Sequence, residues 1–163
     1  MTDPTYNILF LCTGNSARSQ MAEALANVLG KGRFRAYSAG SHPSGSVQPL
    51  AIAQIKTLGY PVDTLRSKSW DEFAGPGAPA MDFVITVCDN AAGETCPVWI
   101  GQPAIAHWGA PDPALHPDDP QAFKEAWLLL KRRIELLLAL PLDKLDQLAR
   151  EQHLRRIAGE TAP

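Results

Sequence analysis

Near its N-terminus the chain reads Leu9-Phe10-Leu11-Cys12-Thr13-Gly14-Asn15-Ser16-Ala17-Arg18-Ser19. The apolar run Ile8–Leu11 predicts a buried strand, and Gln20–Leu29 repeats apolar side chains at helical spacing. The polar residues between them therefore form a loop that joins a strand to the N-terminus of a helix. Unpaired backbone N–H groups and the positive end of the helix dipole meet there, so the loop can bind a tetrahedral oxyanion.

Two side chains of this loop carry reactive chemistry. Cys12 would face the loop N–H groups, and we expect these groups and Arg18 to lower its pKa and hold it as a nucleophilic thiolate. The guanidinium fork of Arg18 can bind two oxygens of an anion at once. Gly14 and Asn15 permit positive φ angles, and Ser19 could donate to the thiolate or cap the helix. The alternative is that Cys12 is a small buried hydrophobe that ends a strand.

Length and composition limit the possible functions. With 163 residues the chain is expected to form one domain over 1–163, and its net charge of −2 gives no electrostatic reason to propose nucleic acid or an anionic membrane as a partner. The N-terminus lacks the pattern of a secretion signal, and no apolar stretch is long enough to span a membrane. Three cysteines, an odd number, fit reduced thiols in a cytoplasm better than a disulfide framework.

The remaining apolar patterns predict an α/β fold with a mostly parallel sheet covered on both faces. The further predicted strands are Phe34–Ala39, Asp82–Cys88 and Ile105–Trp108, and the further long helices are Val47–Leu58 and Gln121–Leu140. The segment at about 141–163 reads as a C-terminal helical extension, either a surface helix or a partly frayed tail.

Two more cysteines follow the predicted strand Asp82–Cys88. Because the carboxyl ends of parallel strands meet at one edge of a sheet, Cys88 is expected to lie beside Cys12. Cys96 follows in the next loop, so Cys88 and Cys96 could form a redox pair or be structural cysteines. The spacing is not that of a zinc site, and we predict no bound metal.

Other polar residues near this edge allow two interpretations each. Asp112 stands between two prolines and could serve as a general acid or only form a turn. His42 could approach the loop or be solvated. Arg66 and Lys68 could steer an anion, or they could belong to a solvated charged loop.

The loop Cys12–Ser19 resembles the signature loop of the low-molecular-weight protein tyrosine phosphatase superfamily, which includes a branch of arsenate reductases. The segment Ser38–Pro43 and the pair Asp112-Pro113 resemble two further segments of that superfamily. The resemblance implies a three-layer sandwich with a four-stranded parallel sheet, in which Cys12 is the nucleophile and Asp112 the general acid. It also implies an oxyanion-binding loop formed by Thr13, Gly14, Asn15, Ser16, Ala17, Arg18 and Ser19.

Departures from the phosphatase pattern favour the reductase branch. Ala114-Leu115-His116 stand where phosphatases carry aromatic residues that hold a phosphotyrosyl ring. Cys88 and Cys96 follow the strand where similar arsenate reductases carry a redox pair, with one residue more between them than is usual there. Ala17 is a departure of another kind: it stands where many members carry a second cysteine, so rescue chemistry by a neighbouring loop thiol is absent here.

These similarities lead to a hypothesis of arsenate reduction, with phosphate or sulfate as competing oxyanions and no tightly bound cofactor. Cys12 would attack arsenate, Cys88 would attack Cys12, and Cys96 would attack Cys88, after which thioredoxin would reduce the disulfide. Alternatively, glutathione could attack the Cys12 adduct and glutaredoxin could then reduce the product, in which case Cys96 would take no part. A protein phosphatase and a non-catalytic oxyanion-binding protein are the alternatives.

Some similar reductases gain from a potassium ion beside residues that match Asn15 and Glu23. We assign Asn15 to the loop geometry and Glu23 to a helix surface, and we therefore leave the ion out of the predicted sites.

Overall fold

A computed structural model describes residues 4–88, 99 and 101–162. Four parallel strands form one sheet in the order β2-β1-β3-β4. They are β1 (Tyr6–Leu11), β2 (Phe34–Ala39), β3 (Phe83–Thr86) and β4 (Ala104–His107). The predicted α/β fold with a four-stranded parallel sheet is confirmed, and the carboxyl ends of all four strands share one edge.

The helices cover this sheet. They are α1 (Arg18–Leu29), α2 (Pro49–Lys56), α3 (Pro120–Leu138) and α4 (Gln147–Glu160), with short 3₁₀ turns at Trp70–Phe73, Pro113–Leu115 and Leu142–Lys144. The side chain of Asp119 caps α3 by accepting a hydrogen bond from the backbone N–H of Gln121 at 3.0 Å. A proline in the first turn starts both α2 and α3, where its missing N–H costs no hydrogen bond.

Alternate side chains of β1 divide the core between the two faces of the sheet. Ile8 and Phe10 belong to the larger cluster, which packs against α1, α3 and α4. Leu9 and Leu11 belong to a smaller cluster with Phe73 on the opposite face. All four strand residues are fully buried, as expected for a parallel strand at the centre of a sheet.

The C-terminal segment is a packed helix rather than a frayed tail. Leu154 and Ile157 of α4 are fully buried, and the carbonyl of Leu154 accepts a hydrogen bond from Trp108 Nε1 at 2.9 Å. Glu151 Oε1 accepts a hydrogen bond from the backbone N–H of Ile105 at 3.0 Å, so α4 satisfies part of the exposed edge of β4. Within the described ranges, no helix is long and apolar enough to cross a membrane.

Candidate active site

The loop between β1 and α1 curves at the carboxyl edge of the sheet. Asn15 adopts a left-handed conformation with φ of 47°, which asparagine tolerates better than most residues. Among the described residues, α1 has neither a side-chain cap nor an acidic residue in its first turn. The positive end of its dipole therefore remains available to an anion.

Neighbouring segments hold the loop through its carbonyl groups. The backbone N–H of His42 donates to the carbonyl of Thr13 at 2.9 Å, and that of Ser44 donates to the carbonyl of Gly14 at 3.0 Å. Because C=O and N–H point in opposite directions across a trans peptide, the amide that follows Thr13 turns its N–H away from His42. That N–H belongs to Gly14, and it donates a hydrogen bond to the sulfur of Cys12.

The loop opens into a cavity of about 140 Å³, which also receives side chains from two other parts of the chain. Its lining residues are Cys12, Thr13, Gly14, Ser16, Ala17, Arg18, Cys88, Asp112 and Ala114. Residues far apart in sequence thus meet at the carboxyl edge, as expected for a parallel sheet.

Arg18 spans the cavity between the loop and the segment that carries Asp112. One terminal nitrogen donates to the carbonyl of Ala110 at 2.8 Å, and the other lies 3.4 Å from Asp112 Oδ2. Its buried Nε has no hydrogen-bond partner in the part of the chain that the structure describes. A buried donor without a partner is costly, so Arg18 keeps one strong donor ready for an oxyanion.

Asp112 lies at the mouth of the same cavity. Its side chain is 33% exposed, and Oδ1 accepts a hydrogen bond from the backbone N–H of Ala114 at 2.9 Å. The second oxygen, Oδ2, faces Arg18. A carboxyl group in this position can exchange protons with water on one side and with a bound anion on the other.

Cys12 and Cys88 lie together as predicted, and both are reduced and buried. The sulfur of Cys88 also accepts a hydrogen bond from the backbone N–H of Thr13 at 3.3 Å. The hydrogen bond between the two thiols and burial raise the pKa of Cys12, whereas Arg18 and the Gly14 N–H lower it. Our expectation of a lowered pKa is therefore wrong for the ligand-free protein, because the loop sequence does not reveal that a second thiol faces the first.

Asn15 and Ser19, which we predicted among the oxyanion-binding residues, are fully buried. Asn15 Nδ2 donates to Ser19 Oγ at 2.7 Å, and its Oδ1 accepts from the backbone N–H of Lys68 at 3.0 Å. Gln20 Nε2 donates to the same Oδ1 at 3.0 Å. These bonds fix the side chain of Asn15 and support the loop, which matches the role in loop geometry that we assigned to this residue.

A buried ion pair lies next to Asn15, and the sequence analysis missed it. The side chains of Glu23 and Lys68 are only 12% and 9% exposed, with 3.8 Å between Glu23 Oε1 and Lys68 Nζ. Ser38 Oγ donates to the same carboxylate oxygen at 3.1 Å. Burial raises the pKa of Glu23 and lowers the pKa of Lys68, while each charge partly offsets the effect on the other.

Two expectations are corrected by this pair. Glu23 does not lie on a helix surface, and Lys68 does not belong to a solvated loop. Arg66 is exposed and pairs with Glu72, as expected of a solvated charge. Since an ammonium group already faces Glu23, this cluster does not fit a bound potassium ion. Among the described residues, no group of three or more metal-ligating side chains occurs.

His42, a further residue that we predicted near the site, is not among the described residues that line the cavity. The side chain of His42 is exposed, although its backbone supports the loop. Cys96 lies outside the described residues. Sequence reasoning also missed the buried Arg133. In the sequence it is one of several charged residues on α3, and nothing in the pattern distinguishes it from its charged neighbours.

Comparisons with known proteins agree with this geometry. The model of the family "Low molecular weight phosphotyrosine protein phosphatase" matches residues 7–153. This chain belongs to that family. An arsenate reductase of Halalkalibacterium halodurans is 35% identical over 125 residues, covering 77% of this chain and 84% of the relative. A glutaredoxin arsenate reductase of Synechocystis sp. is 32% identical over 132 residues, covering 81% of this chain and 95% of the relative.

The solved structure of an arsenate reductase has a fold similar to that of this chain. It is described as an arsenate reductase in the phosphate binding state, and it superposes with a TM-score of 0.69 at 31% identity. The match covers 83% of this chain and 98% of that chain. Together with the two sequence relatives, it places this chain in the arsenate reductase branch of the family.

Proposed function

We propose that this protein reduces arsenate to arsenite, with Cys12 as the nucleophile and Cys88 as the thiol that completes the electron transfer. The observation that carries the proposal is a second thiol inside an oxyanion-binding cavity. A phosphatase needs one thiol and finishes with water, whereas reduction of arsenate needs two electrons and therefore two thiols. The arsenate reductases among the relatives support the same conclusion.

Binding uses the loop and Arg18. The loop N–H groups and the unpartnered Nε of Arg18 neutralise the anion, and phosphate competes because its shape and charge are the same. The hydrogen bond with Cys88 and burial, which raise the pKa of Cys12, favour the protonated thiol before arsenate enters. Arsenate is itself a base, so an arsenate oxygen accepts this proton as the sulfur approaches.

The first covalent step forms a bond between the Cys12 sulfur and arsenic. An arsenic–oxygen bond breaks, and Asp112 protonates the leaving oxygen so that it departs as water. Arsenic remains in its oxidised state, bound to Cys12. The position of Asp112 at the cavity mouth, 3.4 Å from Arg18, supports this role.

The second step transfers the electrons. Cys88 attacks the Cys12 sulfur, a disulfide forms, and the electron pair of the sulfur–arsenic bond leaves with arsenic as arsenite. The hydrogen bond from the Thr13 N–H stabilises the Cys88 thiolate that this attack requires. Cys96 then attacks Cys88, giving a Cys88–Cys96 disulfide and restoring Cys12.

An external thiol reductant closes the cycle, and no tightly bound cofactor takes part. We propose thioredoxin for the Cys88–Cys96 disulfide. Glutathione with glutaredoxin is the alternative, in which the small thiol attacks the Cys12 adduct and Cys96 is idle; the glutaredoxin arsenate reductase among the relatives keeps this route open. We also propose a cytoplasmic location, where such reductants occur, because an odd number of cysteines fits poorly with a secreted disulfide framework.

A phosphatase is the second candidate function. Cys12, Arg18 and Asp112 line one cavity, and these three groups suffice to hydrolyse a phosphomonoester through a cysteinyl-phosphate intermediate. However, Ala114-Leu115-His116 follow Pro113, in place of the aromatic residues that hold a phosphotyrosyl ring in phosphatases. This difference makes the phosphatase the second candidate.

A single-turnover experiment tests the reductase proposal. Fully reduced protein is mixed with arsenate without any added thiol, and released arsenite and disulfides are quantified. The wild type is expected to release about one arsenite per chain, because each cycle consumes one pair of thiols. Cys96→Ser should release a similar amount and accumulate a Cys12–Cys88 disulfide, whereas Cys88→Ser should release none.

Steady-state assays then identify the reductant and the alternative function. NADPH consumption is measured with thioredoxin and thioredoxin reductase, and separately with glutathione, glutaredoxin and glutathione reductase, with and without arsenate. In the single-turnover experiment, undiminished arsenite release by Cys88→Ser would disprove the thiol relay. No arsenate-dependent consumption with either system, combined with rapid aryl phosphate hydrolysis, would make the protein a phosphatase.

A further inference from the structure

A second buried arginine contacts the segment that leads to Asp112 and does not line the cavity. Arg133 lies on the inner face of α3 and is only 2% exposed. Its NH1 donates to the carbonyl of Gly109 at 3.0 Å, and its Nε donates to Thr161 Oγ1 at 2.9 Å. The hydroxyl of Thr161 donates in turn to the carbonyl of Ile157 at 2.7 Å, which anchors it to the end of α4.

Two arginines therefore bind neighbouring carbonyl groups of the segment 109–112. Arg133 binds the carbonyl of Gly109 from the protein core, and Arg18 binds the next carbonyl, that of Ala110, from the cavity. The backbone N–H of Ala110 also donates to the carbonyl of Val87 at 3.1 Å. Asp112 lies two residues further along the same segment.

The guanidinium group of Arg133 is buried without a carboxylate partner among the described residues. No carboxylate in the described ranges lies within ion-pair distance of it, and burial lowers its pKa. Burial of a charge without a counter-ion is normally strongly unfavourable. What the guanidinium provides is a rigid fork that reaches acceptors on two separate elements, which a lysine or glutamine side chain does not match.

We propose that Arg133, held by Thr161, is a positioning residue that keeps Asp112 in place for proton transfer when Arg18 turns to the substrate. This inference rests on the proposed reduction of arsenate. An oxyanion bound by two nitrogens of Arg18 takes the unpartnered Nε and one terminal nitrogen, so it competes with Ala110 or Asp112 for that terminal nitrogen. Arg133 does not line the cavity, so its hold on Gly109 is unaffected by the substrate.

The end of α4 thereby acquires a role in catalysis. Thr161 lies beyond residues 7–153, which the family model matches. The family match therefore covers Gly109 and Arg133 but not Thr161. The link from Thr161 through Arg133 to Gly109 couples the C-terminal helix to the rate of the step that Asp112 assists.

The test compares Thr161→Val and Arg133→Gln with the wild type in single-turnover arsenite release. We expect about a tenfold lower rate, because a misplaced general acid loses part of its contribution. Phosphate affinity should stay unchanged, since the loop and Arg18 are intact. Arg132→Gln, a change at the exposed neighbour of Arg133 on α3, is the matched control and should keep the wild-type rate.

A double-mutant cycle with Asp112→Asn separates positioning from general damage. If Arg133 acts through Asp112, Thr161→Val should slow the wild type but cause no further loss in the Asp112→Asn background. An equal loss in both backgrounds, or no loss in either, would overturn the inference while leaving arsenate reduction intact. A wild-type protein that releases no arsenite would overturn the proposed function and this inference together. Thr161→Val only replaces one hydroxyl by a methyl group of similar size, so it keeps the test valid even if Arg133→Gln fails to fold.

Discussion

At the scale of single residues, the buried pair of Glu23 and Lys68 makes a testable contribution to stability. Lys68→Met leaves a carboxylate buried without its counter-charge, and we expect the free energy of unfolding at pH 7 to fall by about 3 kcal/mol. The double variant Glu23→Gln/Lys68→Met should lose much less, because neither charge is then left buried alone. Urea unfolding of the two variants measures the difference.

The pH dependence of this loss has a definite sign. Burial already raises the pKa of Glu23, and Lys68→Met removes the nearby charge that lowers it, so this pKa rises further. As the pH falls from 7 towards 5, the folded variant binds a proton at Glu23 before the unfolded chain does. The stability lost by Lys68→Met should therefore shrink on acidification. A loss that is constant or grows would show that the carboxylate is not the origin of the penalty.

At the scale of elements, the end of β2 determines how closely the oxyanion loop can pack on the sheet. A Cβ atom at Gly40 would lie 2.4 Å from the carbonyl oxygen of Thr13 and 2.7 Å from that of Cys12. Both obstacles are backbone atoms, so Gly40→Ala must push the loop away from β2. We expect a loss of about 1–3 kcal/mol in stability and a lower rate of arsenite release. Urea unfolding and the single-turnover assay measure these effects.

A second glycine supplies the control for that substitution. A Cβ atom at Gly75 would meet nothing within 4 Å, so Gly75→Ala should leave both stability and rate nearly unchanged. If Gly40→Ala behaved like Gly75→Ala, the packing of β2 against the loop would not limit the geometry of the site.

At the scale of the whole molecule, the sequence predicts what depends on local pattern and on parallel topology. The strands, the long helices and the meeting of Cys12 with Cys88 follow from periodicity and from the shared edge of a parallel sheet. The pKa of Cys12, the burial of Lys68 and the contacts of Arg133 do not follow. Each depends on side chains that meet across elements, and no local pattern identifies which charge is buried or which thiol faces another.

Binding of an oxyanion at this edge should stabilise the entire fold. At a phosphate concentration about 100-fold above Kd, mass action adds about 2.7 kcal/mol, which corresponds to a rise of roughly 5–10 °C in Tm for a chain of this size. Arg18→Lys keeps the charge but loses the unpartnered Nε and the planar fork, so its shift should be clearly smaller. Differential scanning calorimetry of the reduced proteins, with chloride at matched ionic strength as the control, measures both shifts. Equal shifts in phosphate and chloride would mean that the loop does not bind a tetrahedral oxyanion, and the catalytic proposal would lose its first step.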